Sequence, residues 1–228
     1  MKITLIIFLT FFQHFTYAEN IPSSCYGSTQ DGRLENGWQL PSSGKNFAAY
    51  SSVGVMLGRN YVHSKVHSVV MNAYKELETS APGKVFVYGE SGFKEGGLFK
   101  PHKTHRNGLS VDFFVPVKNA KGVSVKLPIS ALNKFGYNIE FNEDARFDDY
   151  TIDFEAMAQH LLAIYSAAKS EGIGIRVVIF ENSFQKKLFS TATGKGLTAL
   201  MPFSVKKPWV RHDEHYHIDF VVSCKNNY

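Results

Sequence analysis

Two short stretches of the chain concentrate the residue types that bind metal ions and move protons. One is His102–Asp112, HKTHRNGLSVD; the other is His212–His217, HDEHYH, more than a hundred residues later. Together they hold five of the nine histidines. Imidazole nitrogen and carboxylate oxygen are the ligands a catalytic zinc prefers, and three of them plus one open position suit hydrolysis. Such a metal lowers the pKa of its bound water to about 7 and polarises a scissile carbonyl. A further histidine outside the metal shell can serve as general base. A lone HxH is a weak signal, common on strands by chance. An HxxxxxxD element, His105 to Asp112, paired with a distal HxxHxH element is much more specific. A zinc that only braces the fold fits less well, because such sites are closed and cysteine-rich.

The elements that must position these side chains follow from periodicity. Leu109–Val117 reads as a strand, with Val111, Phe113 and Val115 on one face and Asp112 and Phe114 on the other. Gly108 lets the chain fold back so that His105 and Asp112 converge. His215–Val222 reads as the last strand. His215, His217 and Asp219 share its face, the two histidines about 7 Å apart along the chain, and His212 lies just before it.

The rest of the chain supplies the frame. Glu19–Phe47 reads as an extended surface arm rich in turn residues. From Asn60 a helical period places Val62, Val66, Val69, Val70, Ala73 and Leu77 on one face until Pro82-Gly83 ends it. His63 and His67, four apart on this helix, fit a metal pair but fit an ordinary helix face better. Lys84–Tyr88 reads as a strand, followed by a glycine-rich loop, 89–100, that suits close approach of substrate backbone better than a phosphate cradle. Val123–Asp149 shows no clear period, and its acidic cluster reads as a solvated loop. Asp153 caps a helix to Ser170 whose buried stripe is Phe154, Met157, Leu161, Ile164, Tyr165 and Ala168, with His160 a structural residue at its edge. Ile173–Phe180 reads as a central apolar strand, Phe184–Phe189 as a short helix and Thr191–Leu200 as a loop. Strands and helices mix without regular βαβ alternation. The expected class is therefore α+β, a mainly antiparallel central sheet with flanking helices and the zinc site in a surface cleft.

Bulk properties set the context. A chain of 228 residues, 44% hydrophobic and 20% charged, is an ordinary globular composition and long enough for a proper core. Residues 1–18 read as a secretory signal: Lys2, the apolar run Ile3–Phe12, too short to span a bilayer, and Thr16-Tyr17-Ala18 as cleavage site. That leaves 19–228 as one domain, in the periplasm, with no stable membrane insertion after cleavage. The formal charge of +5 fits a solvated basic surface or attraction to an anionic partner such as a cell-wall polymer, and no basic run interleaved with aromatics points to nucleic acid. Cys25 and Cys224 stand near the two ends of the mature chain. In an oxidising compartment they are expected to pair, closing a loop of about 200 residues and stabilising by roughly 3–5 kcal/mol in the chain-entropy model.

The metal motifs carry a family resemblance. His105–Asp112 with His215-Tyr216-His217 resembles the signature of the lysostaphin/D-Ala-D-Ala-metallopeptidase/hedgehog fold group, and within it the penicillin-insensitive murein endopeptidase family. Gly32-x-Leu34, Gly37-x-x-Leu40-Pro41 and Gly44 resemble that family's N-terminal arm. His102-x-x-His105-x-x-Gly108-Leu109-x-Val111-Asp112 resembles its first metal segment, and Pro208-Trp209-x-x-His212-Asp213-x-His215-x-His217 its last. The resemblance implies zinc bound by His105, Asp112 and His217, with His102 supporting them or joining a secondary metal site. It implies His215 as the base for the zinc-bound water that attacks the amide, and His212 as a residue that orients or stabilises the transition state. The implied substrate is the cross-linking peptide of peptidoglycan. A D,D-carboxypeptidase of the same fold and a non-catalytic zinc-containing wall-binding module remain the rival readings.

Overall fold

A computed structural model describes residues 21–206 and 210–227. The expected leader, residues 1–18, and the Pro208-Trp209 pair lie outside the described residues. The architecture is mixed α+β. Its centre is a five-stranded sheet of β1 (Phe47–Ala49), β2 (Phe86–Tyr88), β3 (Ser110–Phe114), β4 (Gly174–Ile179) and β5 (His215–Val221), in the order β4-β5-β3-β2-β1. Every neighbouring pair is antiparallel except β1 with β2. Two long helices, α1 (Ser64–Ser80) and α2 (Phe154–Ser170), pack on each other, and a shorter one, α3 (Asn182–Phe189), packs on α2.

Each long helix buries the stripe its sequence period dictates. Val66, Val69, Val70, Ala73 and Leu77 are buried on α1; Met157, Leu161, Ile164 and Ala168 are buried on α2, while Phe154 and Tyr165 are only partly covered. Asp153 caps α2, its carboxylate accepting from the Ala156 backbone N–H at 3.3 Å, a contact worth about 0.5–2 kcal/mol. The first helix starts later than its period suggests. Tyr61–Val62 is spent on a two-residue strand against Trp38–Gln39, and His63 caps the helix through Nδ1. His67 meets the edge of Trp38, so the His63/His67 pair serves the helix and not a metal.

Three segments differ from expectation. Gly174–Ile179 is an edge strand, not a central one. Backbone hydrogen bonds between Val178 and the Pro202–Ser204 segment satisfy polar groups on its outer edge, and Val178 itself is buried. The N-terminal arm is a hairpin, Ser24–Gly27 with Gly32–Glu35, that sends Cys25, Leu34 and Leu40 into the core. Thr191–Leu200 holds a 3-10 turn, Gly194–Gly196, and a short helix, Leu197–Leu200. The expected Cys25–Cys224 disulfide is present, and backbone hydrogen bonds of Lys225 to Cys25 and Gly27 run beside it.

Candidate metal centre

Register decides what the two strands present. His217 pairs with Asp112 across β5 and β3, His215 with Phe114, and Asp219 with Ser110. Side chains alternate along each strand, so Ser110, Asp112, His215, His217 and Asp219 all fall on one face. His105 comes from the turn before β3. Its own φ is +69°, and two glycines make the turn possible. A Cβ on Gly108, at φ +76°, would stand 2.7 Å from the His63 nitrogen, and one on Gly92 would stand 2.9 Å from the His105 carbonyl oxygen. Gly92 therefore lets the loop pass close to the His105 backbone, while Gly97 of the same loop, at φ +82°, faces open space.

His102, His105 and Asp112 each offer one ligand atom, all within 4.8 Å of one another. His105 is fully buried. Its Nδ1–H donates to the Ser91 carbonyl at 3.1 Å, which leaves Nε2 as a bare lone pair with no hydrogen-bond partner, 3.3 Å from Asp112 Oδ1. His217 Nδ1 reaches the same Oδ1 at 2.8 Å, and its Nε2 lies 3.0 Å from Asp219 Oδ1. His102 Nδ1 stands off at 3.7 Å from the other oxygen, Oδ2. The donor set of two or three imidazoles and one carboxylate suits a borderline cation such as zinc, and the unpartnered Nε2 of His105 is the atom such an ion would satisfy.

The surroundings sort the charges. Burial penalises the His217 cation, but Asp219 and Asp112 on either side outweigh it and raise the pKa to about 10. Burial alone would raise Asp112, yet His105 and its fellow histidines hold it well below the ordinary carboxylate range. Burial lowers His105, with Asp112 opposing. Asp219 is held down to about 2 against its burial, chiefly by His217; it accepts from Ser110 Oγ at 2.5 Å and from the Arg176 guanidinium.

The remaining histidines flank this group. His215 Nδ1 donates to Glu214 Oε1 at 2.8 Å, leaving Nε2 as the basic nitrogen; burial opposes its protonation and Glu214 raises its pKa. His212 Nδ1 donates to the Val210 carbonyl at 2.9 Å, and its ring stands 4.6 Å from that of His215. Burial, aided by His215, lowers His212 to about 4, so it is neutral. A pocket of about 330 Å³ is lined by Asp112, His102, His212, His215, His217 and Tyr137, among others. Asp112 and His217, both buried, line it, and the fully buried His105 does not.

A model of the penicillin-insensitive murein endopeptidase family matches residues 25–227. The chain belongs to this family. No curated protein matches the chain in a direct comparison. The family resemblance read from the motifs is thus borne out over nearly the whole chain, and membership makes it a member of a peptidase family directed at peptidoglycan. The structure brings together His102, His105, Asp112, His212, His215 and His217, whereas Asp213 of the last motif turns to the Phe141 N–H and Arg211.

Sequence reading missed three groups at this site. Glu214, buried against His215, sits inside the motif but reads as a spacer. Glu90 accepts from Tyr50 at 2.8 Å, from the Arg59 guanidinium and from His102 Nε2 at 2.5 Å. It lies in the glycine-rich loop, where no period marks it. Tyr137, with Oη 2.8 Å from His102 Nε2, comes from the aperiodic segment Val123–Asp149. The tether that draws that segment in is legible only in space: the Asp213 carboxylate accepts from the Phe141 N–H at 2.6 Å.

Proposed function

We propose that the chain is an exported zinc metallo-endopeptidase that hydrolyses the peptide cross-links of peptidoglycan in the periplasm. The observation that carries this reading is the bare Nε2 of His105, fully buried and facing Asp112 beside His217. A lone pair left without a hydrogen in the interior costs about 1–3 kcal/mol, which a bound cation would repay. On this reading His105, Asp112 and His217 would hold the zinc, because His105 Nε2 and His217 Nδ1 converge on one Asp112 oxygen. His102 supports the group from the other oxygen. Bound zinc supplies a Lewis acid for the scissile carbonyl and acidifies the attacking water.

The chain's own residues do the rest. Asp219 accepts the Nε2–H of His217 and so leaves Nδ1 as the nitrogen that would be offered to a metal. Ser110 and Arg176 hold Asp219 in place. His215, steered by Glu214, takes a proton from the attacking water and delivers it to the amide nitrogen as the C–N bond breaks. Neutral His212 offers Nε2 as an acceptor that orients the reacting groups. Export is supported by the leader-like composition of residues 1–18 and by the disulfide, which persists in oxidising compartments.

Metal analysis of the purified mature chain, with mass spectrometry of products from defined cross-linked muropeptides, tests the reading. The expected result is about one zinc per chain and separated stem peptides, both lost to a chelator. Cleavage that resists chelation would overturn the metal role. Release of a terminal D-alanine alone would make the protein a carboxypeptidase, and retention on insoluble wall without released fragments would make it a binding module.

A further inference from the structure

The geometry points to Tyr137 as a further catalytic residue, whose hydroxyl donates a hydrogen bond to the oxygen of the scissile carbonyl. This rests on the peptidase reading above and adds a group to it. It follows from counting hydrogens around His102. The Glu90 carboxylate, ion-paired with Arg59, accepts and does not donate. At 2.5 Å from Glu90 Oε2, His102 Nε2 must carry a hydrogen and has no lone pair to offer. Tyr137 Oη stands 2.8 Å from that same Nε2, so its oxygen can only be a second acceptor for one shared N–H. The hydroxyl hydrogen of Tyr137 then has no protein acceptor among the described residues.

The residue that carries that hydrogen stands at the pocket. Tyr137 lines the pocket together with Asp112, His212, His215 and His217, and its ring centroid is 6.0 Å from that of His215. The segment that carries it is fixed. Asn133 Oδ1 accepts from the backbone N–H of Gly136 at 3.0 Å and of Ser130 at 2.9 Å, and Asp213 holds Phe141 beyond it. A donor held in place before the reaction costs no reorganisation when charge develops. As the water oxygen bonds to the carbonyl carbon, the π pair moves onto the carbonyl oxygen, where Tyr137 meets it. The pair returns as the C–N bond breaks and His215 protonates the departing nitrogen. Tyr137 keeps its own proton throughout.

The test is Tyr137→Phe in the mature, zinc-loaded protein, which keeps the ring and removes only the hydroxyl. On a cross-linked muropeptide kcat should fall about 100-fold, with KM within about twofold and zinc content and pH-rate profile unchanged. A phosphinate analogue of the cross-link should bind more weakly by the factor lost in kcat/KM, because it mimics the charged oxygen. A kcat within about threefold of the parent, or a loss that tracks lost zinc, would overturn the assignment. Parent protein that cuts no cross-link would remove the peptidase reading and Tyr137 with it; parent and variant cutting equally fast would remove Tyr137 alone.

Discussion

On one face of strands β3 and β5 lie Asp112, His215, His217 and Asp219. On the other lie Phe113 and Tyr216, with His160 of helix α2 packed against both. Both faces bury histidine, and both contain an imidazole Nε2 with no hydrogen-bond partner, on His105 and on His160. Burial alone lowers His160 to about 3, with only the Tyr216 hydroxyl at 2.8 Å from its Nδ1 and the rings of Tyr74, Phe86 and Phe113 around it. Across the sheet His217, equally buried, is raised to about 10 by Asp219 and Asp112. The difference teaches that a buried imidazole becomes metal-binding material only where carboxylates share its desolvated space. Without them it is a polarisable aromatic filler.

Exchanging or removing these groups should break the comparison in graded steps. Asp112→Ala and His105→Ala should abolish both zinc binding and turnover, as read by metal analysis and muropeptide digestion; either variant keeping full zinc would place the ion elsewhere. His215→Ala should retain zinc yet lose turnover by roughly 10²–10⁴-fold, the range for a general base, and full activity would remove it from the mechanism. Asp219→Asn should weaken zinc affinity or activity by about 10–100-fold, since it acts through His217. On the opposite face, His160→Leu should leave zinc content and kcat alone. It should lower stability in urea by about 1–3 kcal/mol, the cost of an unpaired buried Tyr216 hydroxyl.

The smallest effect is one of pH. In chelator-stripped protein His217 has a folded pKa near 10 against about 6.5 for the unfolded chain. Its contribution to stability is then complete below about pH 6.5 and is lost as pH rises through about 10. The melting temperature of stripped protein should fall over that window. Zinc affinity should rise over the same window, because the ion and the proton compete for Nδ1. A melting temperature independent of pH there would show that the carboxylates do not hold His217 as a cation.

The candidate metal-binding face was largely legible in the sequence because alternation on a strand is a local rule. It places Asp112 opposite Phe113, and His215 with His217, before any contact is known. The stripes of α1 and α2 were legible for the same kind of reason. What was not legible depends on pairing order and on long tethers. Composition marks Gly174–Ile179 as apolar but cannot tell an edge covered by residues 202–204 from a strand flanked on both sides. Tyr137 belongs to a stretch with no period, drawn to the site by Asp213 and by its bond to His102. Glu90 sits among glycines whose role is to let the backbone pass close to itself.

β5 joins the sheet between β3 and β4, yet His217 is 105 residues downstream of its partner Asp112. Contacts that distant are slow to find during folding. Until β5 arrives, β3 has one side of its ladder unmade, and His105 and Asp112 stand without His217. If the proposed activity and export hold, the site would be complete only once this late strand is in place, and a half-exported chain would be catalytically silent.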